Sequence, residues 1–238
     1  MSNKIIAIHQ PNFIPWAGYF VKMAACDEFV FHDNVQLTKS GPTRRVKISA
    51  QHTPDHTQWL TVPLMKHSDF VLIKDLEVSW EIDWTKKHLN QVKDAYRKYP
   101  YFDLHFPKIN EWYQYAKHFK SLSEMNIYFI SHIMNELGIN KEVVTSSQLP
   151  VFGKGSDYNL AITKQLDGTH YLSGKGGDKY QEEQLFVTNQ IELRRLDAKC
   201  KLESLFLDDN INFSLSILEL LMKVDLQTIK SRFLRISA

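Results

Sequence analysis

The sequence predicts an α/β fold with a Rossmann-like, mostly parallel sheet, an aromatic-rich helical insertion in the middle and a C-terminal docking helix. Two observations carry this prediction. Short apolar runs alternate with segments of helical spacing at the start of the chain, and the same alternation resumes after Gly138. Between them, residues 84–138 have helical spacing and many aromatic side chains. The 238 residues, 43% of them hydrophobic and 24% charged, fit a single domain over residues 1–238.

The first unit of this fold is a strand, a loop, a helix and a second strand at the N-terminus. Residues 4–8 are predicted to form a buried strand, residues 16–25 have helical spacing, and residues 29–31 form the next strand. Such a unit favours a parallel sheet, in which the carboxyl ends of the strands face the ligand crevice. His9 and Asp33 both stand at such ends.

A hairpin and the helical insertion follow this unit. Residues 45–49 and 59–63 are predicted to pair as strands, and the polar segment at 52–56 that joins them could act as a flap. The insertion carries apolar faces at helical spacing and ends at the Gly138 cap. Its aromatic residues are therefore interpreted as packing material.

The α/β alternation resumes in the C-terminal third of the chain. Residues 141–144 are predicted to form a strand, Ser156 to cap the following helix, and Gly168 to end it. Residues 169–172 form the next predicted strand. The amphipathic pattern of residues 216–224 predicts the helix that docks onto the core.

Charge and hydropathy exclude several classes of function. The net charge is only +2 and the pI is near 8.4, so no general positive field would gather nucleic acid. No stretch approaches the ~18 apolar residues that a membrane span needs. The apolar run before His9 is too short for a signal peptide, and we therefore expect a cytoplasmic protein. The residues carry no signal of oligomeric state.

Neither the cysteines nor the histidines give a metal signature. Cys26 and Cys200 support neither a disulfide framework nor a cysteine-only metal site, and a buried, inert thiol is expected at Cys26. His52 and His56 are four residues apart but lie in a segment that contains a proline, without an HExxH or paired His/Cys spacing. We therefore expect no metal site.

The first motif with chemical potential is the turn that begins at His9. Pro11 and Pro15 fix the path of the loop, and Gly18 lets backbone or ligand approach closely. A histidine where the sheet opens to the crevice can exchange a proton near neutral pH. The alternative is a hydrogen-bonded core histidine surrounded by packing aromatics.

The second motif is the polar turn at Asp33, followed by the basic residues Arg44 and Arg45. A carboxylate at the end of the strand beside the His9 strand can orient an imidazole or accept a substrate ammonium or hydroxyl group. A guanidinium group suits a phosphate or carboxylate. The alternatives are an Asx-turn residue at Asp33 and a solvated edge strand for the arginines.

The third motif is the glycine-rich segment 173–180, which directly follows a predicted strand. Such a segment can turn successive backbone N–H groups toward an anion, and Lys175 adds charge, as nucleotide phosphates require. It has neither the Walker A spacing nor that of a dinucleotide fingerprint. The alternative is a flexible surface turn.

These motifs carry a resemblance to a known family. They are His9-Gln10-Pro11, Pro15-Trp16-x-Gly18-Tyr19-Phe20-x-Lys22, Asp27-x-Phe29-Val30, Asp33-x-Val35-Gln36, Arg45-x-x-Ile48, Trp59-Leu60-Thr61-Val62-Pro63, Tyr171-Leu172-Ser173-Gly174-x-Gly176-Gly177-x-x-Tyr180 and Ser216-Ile217-Leu218-Glu219-Leu220-Leu221. Together they resemble the WbqC-like protein family over nearly the whole chain, and the opening string is the most specific. The sequence departs from the pattern at Asn34, where a second Asp is frequent, and at Val46, where Asn is expected.

The resemblance implies a role in bacterial synthesis of lipopolysaccharide O-antigen or a related surface polysaccharide. We hypothesise a transferase that places an acyl or aminoacyl group on the amine of a nucleotide-linked amino sugar. Its partners would be that sugar and an acyl or aminoacyl carrier protein, with no tightly bound cofactor. The alternatives are an ATP-dependent, adenylate-forming amide ligase acting on an amino sugar, and a non-catalytic sugar-nucleotide-binding protein.

This hypothesis gives each candidate residue a role. His9 accepts the proton of the attacking amine, and Asp33 orients His9 or binds the ammonium group. The predicted substrate-binding residues are Gln10, Asn12, Trp16, Tyr19, Lys22, Gln36 and Arg45. The predicted phosphate-binding residues are Ser173, Gly174, Lys175, Gly176, Gly177 and Tyr180.

Overall fold

The computed structural model describes residues 3–38, 40–50, 53–175 and 181–236, with only the backbone at 53–55. The strands are β1 (Ile5–His9), β2 (Glu28–Phe31), β3 (Arg45–Ala50), β4 (Thr53–Thr61), β5 (Glu142–Thr145), β6 (His170–Gly174) and β7 (Glu192–Leu196). The α-helices are α1 (Ala17–Ala24), α2 (Trp84–Tyr96), α3 (Phe102–Ala116), α4 (Leu122–Glu136), α5 (Gly155–Gln165), α6 (Glu183–Thr188), α7 (Ala198–Leu205), α8 (Leu218–Lys223) and α9 (Leu226–Leu234). The predicted α/β class is confirmed.

Five strands form one parallel sheet in the order β5-β2-β1-β6-β7. From β1 the chain fills one side of the sheet through β2 and β5, and then fills the other side through β6 and β7. The direction of winding therefore reverses between β1 and β6. In sheets of this kind, ligands bind outside the carboxyl ends of the strands at this switch point.

The sheet is buried on both faces, and β1 shows how its residues are divided. Ile6 and Ile8 belong to a cluster with Tyr158 and Ile162, which lie on α5, whereas Ala7 belongs to the large core on the opposite face. Alternate strand residues point to opposite faces. Because both faces of the central strands are covered, polar side chains of these strands can reach an open crevice only at the strand ends.

The predicted helical segment contains α2, α3 and α4, whose aromatic residues form a block that we call the helical block. Phe13 projects into it and contacts Tyr113 and Phe129 edge to face, with ring centroids 6.4 and 5.6 Å apart. The β3–β4 hairpin is antiparallel and pairs Arg45 with Thr61. The chain from β1 therefore packs against both the sheet and the helical block.

Several predicted boundaries differ from the structure. Ser156 is not the N-cap of α5, since the helix begins at Gly155 after Lys154, and the Ser156 hydroxyl accepts a hydrogen bond from the Glu182 backbone N–H instead. The chain leaves α5 through Asp167, at a φ of 54°. Gly168 closes the end of α5, because its backbone N–H donates to the Thr163 carbonyl at 2.8 Å; a Cβ there would also lie 2.4 Å from the Cγ1 atom of Ile6.

Two further differences concern the hairpin and the C-terminus. Strand β4 already begins at Thr53, so it includes part of the predicted polar connection, while His52 lies outside the described residues. The docking helix α8 is shorter than predicted but buries its apolar residues, and α9 follows it. Four short elements, α6, β7, α7 and α9, have no counterpart in the sequence prediction.

Candidate active site

A cavity of about 300 Å³ opens at the switch point, between the carboxyl ends of β1 and β6. Its polar lining comes from the N-terminal turn, α1, the residue after β2, α5 and the end of β6. These polar side chains are His9, Gln10, Lys22, His32, Asn159, Ser173 and Gln181. The first and third sequence motifs, more than 150 residues apart, therefore meet at one cavity. Larger surface depressions elsewhere lie away from this edge of the sheet.

The N-terminal turn is held in place by α4 and by the loop before β3. The side-chain amide of Asn126, fully buried on α4, donates to the carbonyls of Pro11 and Thr43 at 2.8 and 2.7 Å. The Thr43 hydroxyl donates in turn to the Gln10 side-chain oxygen at 3.1 Å. Asn126 thus links the helical block to the residues beside His9.

The far end of the same turn is strained and tightly closed. Ile14 has a φ of 37°, in the left-handed region that a β-branched residue rarely adopts. Ser216 secures it, because its hydroxyl donates to the Ile14 carbonyl at 2.8 Å. The Trp16 ring then lies against Gly18, where a Cβ would fall 2.1 Å from a ring atom. Only glycine fits beneath this ring.

His9 lies at the end of β1 with one ring nitrogen engaged. Nδ1 is 3.2 Å from the Gln10 carbonyl oxygen, which can only accept, so Nδ1 carries the proton and Nε2 is left unprotonated. The Tyr19 ring packs edge-on against the imidazole at 4.8 Å, and its hydroxyl donates to the same carbonyl. Burial, followed by the Lys22 ammonium, lowers the pKa of His9 to about 3. The imidazole is therefore neutral at pH 7 and available as a proton acceptor.

Lys22 and His32 complete the basic wall of the cavity. Lys22 is almost fully buried, and its ammonium donates to the Ile8 carbonyl at 2.8 Å. His32 packs on the Tyr158 ring at 4.9 Å, and burial, followed by the charge of Lys22, lowers its pKa to about 4. The sequence analysis did not propose His32, although it is the first residue after β2 and its backbone N–H bonds the His9 carbonyl.

Asp33 is positioned on the other side of β2. Its carboxylate accepts hydrogen bonds from the Ser146 hydroxyl at 3.1 Å, the Ser147 backbone N–H at 3.0 Å and the Ser147 hydroxyl at 2.8 Å. Both serines belong to the turn after β5. The contacts of the two predicted catalytic side chains do not join them, because His9 is oriented by the Gln10 carbonyl. A catalytic role for Asp33 stays a prediction.

Five predicted substrate-binding residues lie outside the cavity lining: Asn12, Trp16, Tyr19, Gln36 and Arg45. Gln36 is exposed and donates to the Asp69 carbonyl at 3.1 Å. Arg45 lies on the hairpin, with its guanidinium 4.4 Å above the Trp59 ring. Asn12 is buried behind the turn, with no hydrogen-bond partner for its side-chain oxygen among the described residues.

The predicted phosphate-binding segment is described only in its first part. Ser173 is fully buried at the end of β6, and no atom of the described residues lies within 4 Å of the position of a Cβ on Gly174. The Lys175 ammonium pairs with the Asp197 carboxylate at 2.5 Å, and both side chains are exposed. The predictions for Gly176, Gly177 and Tyr180 fall outside the described residues.

Within the described ranges, no group of three His, Cys, Asp or Glu side chains is arranged to hold a metal ion. Cys26 is buried, and burial raises the pKa of its thiol to about 12. The helices in the same ranges include none that is both long and apolar enough to cross a bilayer.

Comparison with known proteins places this chain among relatives of undefined activity. A model of the WbqC-like protein family matches residues 10–231. An uncharacterized protein of Mycobacterium tuberculosis is 29% identical over 226 residues, which cover 93% of this chain and 94% of the relative. No solved structure matches the chain significantly. The matched region includes the turn after β1, β6 and all residues of the cavity lining except Ile8 and His9.

Proposed function

Because the chain belongs to the WbqC-like protein family, we propose that it is an enzyme of bacterial surface-polysaccharide synthesis. The reaction is the transfer of an acyl or aminoacyl group to the amine of a nucleotide-linked amino sugar. One observation carries the proposal. Neutral His9, buried Lys22 and the first two residues of the glycine-rich segment line one cavity at the switch point of a parallel sheet. Cavities in this position commonly bind nucleotides.

The nucleotide diphosphate would lie near the end of β6. Among the described residues, none lies within 4 Å of a Cβ on Gly174, and the sequence continues into Gly176 and Gly177, whose N–H groups can be directed at an anion. Lys22 supplies positive charge from the opposite wall of the cavity. Because Lys175 is engaged with Asp197, it would contribute only if that ion pair opened.

His9 would act on the amine of the sugar. As the amine nitrogen attacks the donor carbonyl carbon, a C–N bond forms and the nitrogen must lose a proton. His9 Nε2 accepts that proton and returns it to the leaving thiol or hydroxyl when the carrier's ester or thioester bond breaks. The Gln10 carbonyl fixes the ring for this role by holding the Nδ1 proton.

The test begins with binding. Purified protein is screened against nucleotide-linked amino sugars by thermal shift, since a ligand at 100 times its Kd raises the melting temperature by roughly 5 °C. Turnover is then measured with carrier-linked acyl and aminoacyl donors. We expect His9→Asn to lower kcat by about 10²-fold or more, with nucleotide affinity and melting temperature nearly unchanged.

His132→Asn is the matched control, because His132 is a half-buried histidine on α4 outside the cavity lining. Equal turnover by wild type and His9→Asn would end the claim for His9. Binding of the sugar nucleotide without turnover on any donor would favour the non-catalytic binding protein.

A second reaction is favoured by the pairing of the two motifs. The N-terminal turn and the start of the glycine-rich segment flank one cavity, as two phosphate-binding segments would in an adenylate-forming enzyme. ATP would then activate a small acid before amide formation, with release of pyrophosphate. Pyrophosphate release on mixing with ATP and candidate acids supports this reaction, and a calorimetric titration without ATP binding excludes it.

A further inference from the structure

We propose that His32 is a second imidazole of the ligand site, and that with Lys22 it binds a doubly charged oxyanion together with one proton. The chemical class is a phosphate or diphosphate group. The inference deepens the proposed function and rests on it for the identity of the natural ligand, because a nucleotide-linked sugar carries such a group. The binding step itself can be tested without that ligand.

Geometry places the two imidazoles side by side. Strands β1 and β2 are neighbours, with His9 paired to Phe31, and the His32 backbone N–H donates to the His9 carbonyl at 2.8 Å. Both rings line the same cavity. A ligand reaching one imidazole is therefore within reach of the other.

The His32 ring also has an unmet hydrogen-bonding requirement. Its Nδ1 atom is buried and has no hydrogen-bond partner among the described residues. A buried polar atom without a partner costs about 1–3 kcal/mol, so such atoms in native proteins usually meet water or a ligand. An oxyanion oxygen would satisfy Nδ1 once that nitrogen carries a proton.

The charges around His32 favour an anion. Lys22 on α1 faces it, and the described lining contains the second imidazole but no carboxylate. From α5 the Tyr158 ring and the Asn159 amide face it, and Gln181 lies across the cavity. The neighbouring carboxylate, Asp33, is bonded to the serines after β5.

Proton uptake follows from the low pKa values of the two imidazoles. Burial and Lys22 lower the pKa values of His9 and His32 to about 3 and 4, so both rings are neutral near pH 7. A bound dianion reverses part of that effect, since an opposite charge within ~4–6 Å favours the protonated form. Binding and protonation are then linked, and affinity rises as pH falls.

The experiment uses sulfate as the probe, because sulfate stays a dianion between pH 5 and 8. Its Kd is measured by calorimetry at constant ionic strength at pH 5.5, 6.5 and 7.5. We expect affinity to rise roughly 5- to 10-fold per pH unit of acidification, close to the tenfold limit for one linked proton. His32→Asn should flatten this dependence and weaken binding at pH 5.5, whereas His132→Asn should match wild type.

A second measurement does not need a variant. Nitrogen NMR of the imidazoles in the wild-type protein should show the pKa of His32 rising from about 4 by about three units or more when sulfate is added, as the expected pH dependence of affinity requires. An unchanged His32 pKa would overturn the proposal. So would an equal pH dependence of sulfate binding in wild type and a folded His32→Asn.

The outcomes also separate this inference from the proposed function. Sulfate binding with the expected pH dependence, but no binding of any nucleotide-linked sugar, would keep the anion subsite and reject the proposed substrate. Turnover of such a sugar with pH-independent sulfate binding would keep the proposed substrate and reject the proton-linked anion subsite.

Discussion

His32 in the cavity and His88 in the helical block are the same side chain in two different settings. Burial is the main cause of a pKa near 4 for both. His88 has partners at both ring nitrogens: the Thr61 backbone N–H donates to Nε2 at 3.1 Å, and Nδ1 lies 3.3 Å from the Tyr113 hydroxyl. His32 Nδ1 has none among the described residues and faces a cavity.

The difference teaches how to distinguish a structural histidine from one that binds a ligand. A lowered pKa alone marks both, because any buried imidazole loses its proton more easily. Hydrogen-bond satisfaction separates them. His88 completes a packed core between the hairpin and Tyr113, so its removal should affect folding, whereas His32 should affect binding.

The largest expected effect tests the helical block. His88→Leu leaves the Thr61 N–H and the Tyr113 hydroxyl unpaired in the core, which should lower the free energy of unfolding by about 3 kcal/mol. Urea unfolding measures this loss. Sulfate affinity of the folded fraction should stay at the wild-type value, and a selective loss of affinity would put His88 in the ligand site. His132→Asn, in the same block, loses ring contacts with Trp112 and Tyr128 and should cost about 1 kcal/mol, well below the loss for His88→Leu.

The next effect tests the link between the two regions. Asn126→Ala removes both hydrogen bonds to the carbonyls of Pro11 and Thr43, and we expect a loss of about 2 kcal/mol in unfolding free energy. Because the turn beside His9 then loses its support, ligand affinity should fall too. Stability loss with unchanged affinity would mean that the turn keeps its geometry without α4.

A smaller effect is expected for Asp33→Asn, which decides between two roles for this residue. If the carboxylate only holds the turn after β5, the change weakens its bonds with Ser146 and Ser147 and costs about 1–2 kcal/mol, with kcat nearly unchanged. A catalytic carboxylate would instead lose kcat by about 10²-fold. Unfolding and turnover measured on one preparation distinguish these results.

The smallest effect is the pH dependence of stability. The folded pKa of His88, about 4, lies below the unfolded value near 6.5, so its contribution is present above pH 6.5 and lost as pH falls toward 4. This loss should reach about 1 kcal/mol between pH 7 and 5.5. The contribution of His32 to the pH dependence of the unfolding free energy has the same sign, and bound sulfate should reduce it. Urea unfolding of wild type and His32→Asn, with and without sulfate, isolates the contribution of His32; the remaining pH dependence contains His88 together with His9, whose pKa of about 3 has the same sign.

The sequence places His9 and Ser173 at the carboxyl ends of two predicted strands, and in the structure both line one cavity. Carboxyl ends of parallel strands converge at one edge, so the strand pattern alone brings residues 9 and 173 together. It did not identify His32, because two adjacent polar residues follow β2 and only the backbone path decides which one faces β1. The prediction chose Asp33, whose partners Ser146 and Ser147 follow a different strand.

The positions of other candidate residues also depend on loops that the sequence pattern does not define. Arg45 and Gln36 follow β2 closely in the chain, but the hairpin and the loop leading to it carry them away from the cavity lining. Short elements such as α6 and β7 span six and five residues, which is too few for a helical or alternating pattern to emerge. Long amphipathic segments such as α4 were correctly placed by their periodicity.

The hydrogen bond from Ser216 to Ile14 joins positions 202 residues apart in the sequence. During synthesis, the turn at Ile14 cannot form this hydrogen bond until Ser216 has emerged from the ribosome, after most of the chain has been made. Contacts of such long range slow folding, because a large loop must close before the contact forms. The N-terminal turn is thus translated early but completed late, and truncation before residue 216 would leave it open.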